Sequence, residues 1–222
     1  MNKKIFLMGA VFLLAMKLSQ AQVSFGIRAG ANYNKWQGES MQVIQDLVDK
    51  TDGYITTKGT TGFHVGGYAN IPIGAGISFE PGLGYTKKGY AMRGDLKIDV
   101  LKFLGVNAGA QVMEHYIDMP LMLRAKVYKG LNVYAGPQVS YLVRSTLNAK
   151  AGVLGINLFN RGFGITSRMN KFDMAVAGGV GYQFDNGLNV QAGYDYGLSR
   201  LDKNGNYNVH NRVVKVSVGF SF

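Results

Sequence analysis

His64, His115 and His210 are the only histidines in a chain of 222 residues that contains no cysteine. Transition metals are held mainly by thiolate and imidazole, so three scattered histidines leave little for such a site, and no disulfide framework can form. A lipid-modifying hydrolase would need a base beside a nucleophile at a lipid-facing surface. The residues two places after the histidines are Gly66, Ile117 and Arg212, so the His-x-Ser pairing of lipid A deacylases is missing. Asp202, Asn204 and Asn206 have the spacing that opens a calcium loop. Tyr207 then stands where the turn glycine belongs, and Val213 where a closing glutamate belongs. There is no Gly-x-Ser-x-Gly elbow and no phosphate-binding glycine loop. The reading is therefore a protein with no catalytic residues, no metal site and no cofactor.

The charges that remain fall into two groups. Lys150, Arg161, Arg168 and Lys171 lie in a stretch, 146–171, that carries no acid and includes Val153, Leu154, Ile156, Leu158, Phe159 and Phe163. The plain reading is an extracellular loop. The sharper one is contact with anionic lipid headgroups, cations on phosphates and apolar residues dipping into the interface. Arg28, His64, Glu80, Asp118, Arg124 and Lys126 are instead spread along segments of alternating polarity, and their chemistry depends on what those segments build.

An address comes first. Lys3 and Lys4 precede an apolar run from Ile5 to Leu14, and Ser19-Gln20-Ala21 forms a small-x-small cleavage site. The run is too short to span a membrane as a helix. Residues 1–21 are read as a signal peptide, leaving one domain over 22–222. The net charge of +11 invites a nucleic-acid reading, but an exported protein seldom meets that partner.

Downstream, period two dominates. Val214, Val216, Val218, Phe220 and Phe222 alternate with Val213, Lys215, Ser217, Gly219 and Ser221. Leu188 to Gly197 and Phe172 to Gln183 do the same, joined by Asp185-Asn186-Gly187, a tight-hairpin signal. Five earlier segments repeat the theme from Val23, Phe63, Ile77, Ile117 and Val133, giving eight strands. A soluble sandwich would alternate too. Three features favour lipid on the apolar side. The opposite face is lined with Gly, Ser, Asn and scattered charges. Connections alternate between short (72–75, 128–130, 185–187) and long (35–58, 90–109, 146–171, 199–211). Aromatics gather at strand ends: Tyr33, Phe63, Tyr85, Phe172 and Tyr194 at one rim, Phe25, Phe184 and Phe220 at the other. The expected fold is all-β, an eight-stranded antiparallel up-and-down transmembrane β-barrel following a cleaved signal peptide. Arg28, His64, Glu80, Asp118, Arg124 and Lys126 then become a polar network in its lumen. Within it Glu80 is expected to pair with Arg124, with Arg28 or Lys126 as second partner. Met41, Ile44, Leu47 and Val48 have helical spacing over 39–50 and suggest a cap on the barrel mouth.

Phe79-Glu80-Pro81-Gly82-Leu83-Gly84-Tyr85-Thr86-Lys87-Lys88-Gly89 resembles the third-strand signature of the PorT-like porin family of outer-membrane β-barrels. Tyr116-Ile117-Asp118-Met119-Pro120-Leu121-Met122-Leu123-Arg124, followed by Ala135-Gly136-Pro137-Gln138-Val139-Ser140-Tyr141-Leu142, resembles that family's central hairpin. Phe220 and the terminal Phe222 resemble the C-terminal assembly signal of such barrels. The resemblance implies the outer membrane of a Gram-negative bacterium, contact with its lipid and lipopolysaccharide, and the barrel-assembly machinery as a partner during biogenesis. It also implies a secretion-system or surface partner, a few family members being linked to type IX protein secretion. It carries no catalytic residues across. The functional reading is a structural or interaction barrel presenting extracellular loops. Alternatives are a narrow pore for very small solutes, an accessory factor in secretion and, last, a lipid-modifying enzyme.

Overall fold

The computed structural model describes residues 22–49, 55–95, 107–153, 156–204 and 206–222. The signal peptide expected over 1–21 lies outside the described residues. The elements in chain order are β1 (Ser24–Gln37), helix α1 (Glu39–Asp49), β2 (Ile55–Gly74), β3 (Ile77–Asp95), β4 (Asn107–Tyr128), β5 (Leu131–Val153), β6 (Ile156–Gly164), β7 (Phe172–Gln183), β8 (Leu188–Gly197) and β9 (His210–Ser221). Every strand pair is antiparallel. Neighbours run β4-β3-β2-β1-β9-β8-β7-β5, and a β4–β5 ladder closes the ring.

Eight strands make the barrel, and β6 is an addition to it. Strand β5 pairs with β7 only from Leu131 to Tyr141; from Thr146 onward the same edge pairs with β6. The residues expected as a long loop over 146–171 therefore form a hairpin that prolongs the wall, followed by a single 3-10 turn at Thr166–Arg168. Over 90–109 the correction is similar, because β3 runs to Asp95 and β4 starts at Asn107. Strands of 19 to 23 residues, as in β2 to β5, far exceed what a bilayer needs. About 9–11 tilted residues suffice. The excess stands on the side of the long connections, where its small and polar residues keep pairing in water. Short turns close the other end. At Gly74-Ala75-Gly76 all three residues have positive φ, of 114°, 51° and 74°, and two of them are the residue type that adopts it without strain.

Burial is inverted relative to a water-soluble protein. Asn32, Glu80, Asp118, Asn132, Gln138, Asp173, Asp195 and Ser217 are buried, while Phe25, Ile27, Leu83, Leu123, Val176 and Val216 are exposed. Leu83 is 64% exposed and Val216 59%. Apolar side chains ringing a closed sheet are stable only where hydrocarbon replaces water, and a barrel leaves no open edge there. Rings pair on this outer wall: Phe63 with Tyr85 at 5.8 Å, Tyr141 with Phe172 at 5.3 Å. They belong to the aromatic rim on the long-loop side.

One bulge alters the phase of the wall. His115 faces Arg144 while Tyr116 faces Leu142, so β5 carries an extra residue there. Val143 and Arg144 are both exposed and Ser145 turns inward, fully buried. Strict alternation would place Arg144 in the lumen, and the bulge puts it outside.

Candidate functional site

The lumen is crossed by three layers of charge, each side chain delivered by the inward phase of its strand. Nearest the short turns, Glu80 of β3 is held by two arginines. Arg124 of β4 donates from Nε to Oε2 at 2.9 Å and from Nη2 to Oε1 at 3.0 Å, while Arg28 of β1 donates from Nη1 to Oε1 at 3.0 Å. Arg124 also donates to Asn132 Oδ1 and to Gln191 Oε1. Both guanidinium groups lie over tyrosine faces, Arg28 on Tyr68 at 4.2 Å and Arg124 on Tyr134 at 4.9 Å. Such stacking suits a planar cation that has left water. Tyr134 in turn fits against two glycines, since a Cβ at Gly193 would meet its hydroxyl at 2.2 Å and one at Gly179 at 2.6 Å.

In the middle layer Lys215 of β9 reaches Asp195 at 2.6 Å and Asp118 at 3.9 Å, and donates to Gln138 Oε1 at 3.3 Å. Asp118 also accepts a 2.5 Å hydrogen bond from Thr86. His64 Nε2 shares a 2.7 Å hydrogen bond with Ser217 Oγ. Between these two layers lies a cavity of about 100 Å³ bordered by Glu80, Asp118, Met122 and Lys215. That is room for a few waters.

Lys88 anchors the third layer. It lies 3.7 Å from Asp173 and over the Tyr116 ring at 4.5 Å. Asn211 donates to Asp173 at 2.9 Å, and Asn34 donates to Asn211 at 3.1 Å. Glu114, fully enclosed, faces the same ammonium. Above it the mouth is closed by an apolar cluster of Met41, Tyr90, Leu201 and Val209, with Trp36 and Met169 packed against it. Trp36 and Tyr90 stack at 5.0 Å, nearly parallel. Met41 belongs to α1, so the helix over 39–49 seats on the mouth.

Of the expected lumen residues, Arg28, His64, Glu80, Asp118 and Arg124 face inward, and Arg28 is the second partner of Glu80. Lys126 does not join them. It sits two residues past Arg124, where the wall ends at the short turn, and it is exposed with its backbone N–H on Gly76 O. Lys88, Glu114, Asp173, Asp195 and Lys215 were missed, although Asp173, Asp195 and Lys215 stand at polar positions of clearly alternating strands. The four loop cations do not converge. Lys150, Arg161, Arg168 and Lys171 are all exposed, but Lys150 pairs across from Asn160 and Arg161 from Ala149, which puts them on opposite faces of the hairpin. The other two histidines are both engaged as well. His115 Nδ1 meets the Tyr85 hydroxyl, and His210 Nε2 meets Asn208 Oδ1 at 2.7 Å. The Asp202 carboxylate accepts from the backbone N–H groups of Asn206 and Tyr207, a local turn. Phe220 and Phe222 lie on the outer wall, and the Phe222 backbone exchanges two hydrogen bonds with Phe25.

Among solved structures, the chain is similar to neisserial surface protein A, at 16% identity over 90% of this chain and 99% of that one, TM-score 0.47. It is similar to Ail of Yersinia pestis, solved with the heparin analogue sucrose octasulfate, at 14% identity over 90% and 99%, TM-score 0.46. It is also similar to OprG of Pseudomonas aeruginosa, at 11% identity over 91% and 97%, TM-score 0.41. No curated protein matches it. Residues 18–203 match the family described as outer membrane protein beta-barrel domain. The chain belongs to that family and resides in the outer membrane of a Gram-negative bacterium.

Proposed function

We propose that this barrel is a closed-lumen interaction protein whose working surface is its extracellular part, the long strand extensions, the β5–β6 hairpin and the cap formed by α1. The observation that carries this reading is the filled interior. Three successive layers of paired charge cross it, and the Trp36, Met41, Tyr90, Leu201 and Val209 cluster covers the mouth. An eight-stranded barrel has an interior that side chains can fill, and here they do so with ion pairs that would have to part before an ion could pass. The investment in a tall extracellular wall has no use in spanning the membrane and fits the presentation of a binding surface. Planar-bilayer recordings of the purified protein test this: the reading expects no conductance steps, and stable ohmic steps would replace it with a pore. The PorT-like features of residues 79–89 and 116–142 support one version of the same reading, in which the bound partner is part of a protein-secretion apparatus. Cross-linking in intact outer membranes, followed by identification of the captured protein, distinguishes that version from a surface partner.

A further inference from the structure

Charge in this barrel is sorted by face. Among the described residues, the carboxylates of Glu80, Glu114, Asp118, Asp173 and Asp195 all point into the lumen. Immediately above the aromatic rim, on the outer wall, three strands carry a cation instead. Tyr33 is followed two residues on by Lys35, Tyr85 by Lys87, and Tyr141, through the bulge, by Arg144. The register aligns three of these side chains. Lys87 of β3 is the direct partner of His115 on β4, and His115 is the direct partner of Arg144 on β5. Direct cross-strand partners have Cβ atoms about 5 Å apart. Two cations thus flank one imidazole, which is itself held by the Tyr85 hydroxyl within the ring cluster Phe63–Tyr85–His115. Among the described residues neither Lys87 nor Arg144 has a carboxylate partner. Higher on the wall, Lys58 at four residues above this row and Lys150 at six border a groove of about 320 Å³ together with Thr61, Gln111 and Asn148.

We infer that this face is a binding site for the phosphorylated headgroup of an outer-leaflet glycolipid of the lipid A type. Lys87 and Arg144 stand two strands apart on either side of His115, so together they make a positive patch without a carboxylate, and an anion seated between them is attracted by both. The position selects the source of the anion. The row begins where the lipid-facing aromatics end, which is the depth of headgroup phosphates, and basic residues at that depth attract anionic lipid. Lys87 and Arg144 supply donors on either side of a phosphate, and the polar groove above, with Gln111, Asn148 and Lys58, meets the sugar. The bulge in β5 serves this arrangement, because it is what turns Arg144 outward.

The test is a lipid titration of the full-length barrel, taken from outer membranes into phosphatidylcholine nanodiscs, with bound bisphosphorylated lipid A counted by native mass spectrometry. Removal of two headgroup cations in Lys87→Gln/Arg144→Gln is expected to weaken binding about 30-fold. Lys87→Gln alone is expected to weaken it about 5-fold. Lys129→Gln, at the opposite rim, leaves binding unchanged, and the charge-conserving pair Lys87→Arg/Arg144→Lys retains most of it. Heat-modifiable gel mobility confirms that each variant is folded. Wild-type binding by the double variant overturns the inference, and so does equal affinity for lipid A stripped of its phosphates. Displacement of lipid A by an equal concentration of inorganic phosphate overturns it too, since the site would then hold a free anion. The conductance result bears on the closed lumen alone, so this site can fail while that reading stands.

Discussion

Replacing Glu80 by Gln keeps the shape of the side chain and removes the charge that faces two guanidinium groups. Glu80 is 4% exposed, and the arginine side chains are 15% (Arg28) and 11% (Arg124) exposed, so water is poorly placed to compensate. Three charge-assisted hydrogen bonds of 2.9–3.0 Å are lost or weakened, and the new amide presents donors to donors. Breaking one side of such a buried pair costs about 3–5 kcal/mol. Arg124→Gln should cost less, because Glu80 keeps Arg28. In the Glu80→Gln/Arg124→Gln variant only Arg28 is left without its carboxylate, so the combined loss should fall short of the summed single losses by about 1–3 kcal/mol. Urea unfolding of the refolded barrel in micelles, followed by the fluorescence of Trp36, measures all three. Additive losses would refute the pairing argument. So would a Glu80→Gln loss below about 1 kcal/mol, the range of an exposed ion pair.

Three further outcomes follow from the same geometry. Leu123→Arg places a cation on the lipid face, where it costs about 2–4 kcal/mol at mid-bilayer, and should impair assembly. Met122→Arg, one residue away beside the small cavity and near Glu80 and Asp118, should fold with normal heat-modifiable mobility. Gly193→Val drives a side chain into the Tyr134 hydroxyl and should lower the yield of folded barrel, whereas Gly164→Ala meets nothing within 4 Å and should refold like the parent. Trp36→Ala removes the ring stacked on Tyr90, so limited proteolysis should cut within 39–49 while the barrel core survives.

How much was legible in the sequence depended on where the alternation was clean. In β7 to β9 every second residue is lipid-facing, the Asp185-Asn186-Gly187 turn marks the hairpin, and both faces could be read directly. The same logic put Glu80 and Arg124 on one polar face at similar height, because each lies a few residues from a short turn. Outside the bilayer the signal fades. Wall residues there meet water outside, so small and polar side chains such as those of Ala108 to Gln111 and Asn148 to Ala151 read as loop although they continue the ladder. The bulge at Val143–Arg144 broke the phase without any glycine or proline to announce it, and the outer basic row stayed hidden because it needs the register of three strands. Lys88 and Glu114 went unnoticed for a related reason, lying near the edges of the stretch read as the 90–109 loop.

The central claim is that the two faces of this sheet meet lipid on the outside and paired charge on the inside. The chain has no cysteine, so single cysteines can carry spin labels without background. Labels at Val214, Val216, Val218 and Phe220 in reconstituted bilayers are predicted to collide with oxygen dissolved in lipid. Labels at Lys215, Ser217 and Gly219 should be shielded from it, with period two along β9. High access of a water-soluble relaxant to Val216 and Val218, or a pattern with Val216 dry and Ser217 in bulk water, would contradict the barrel.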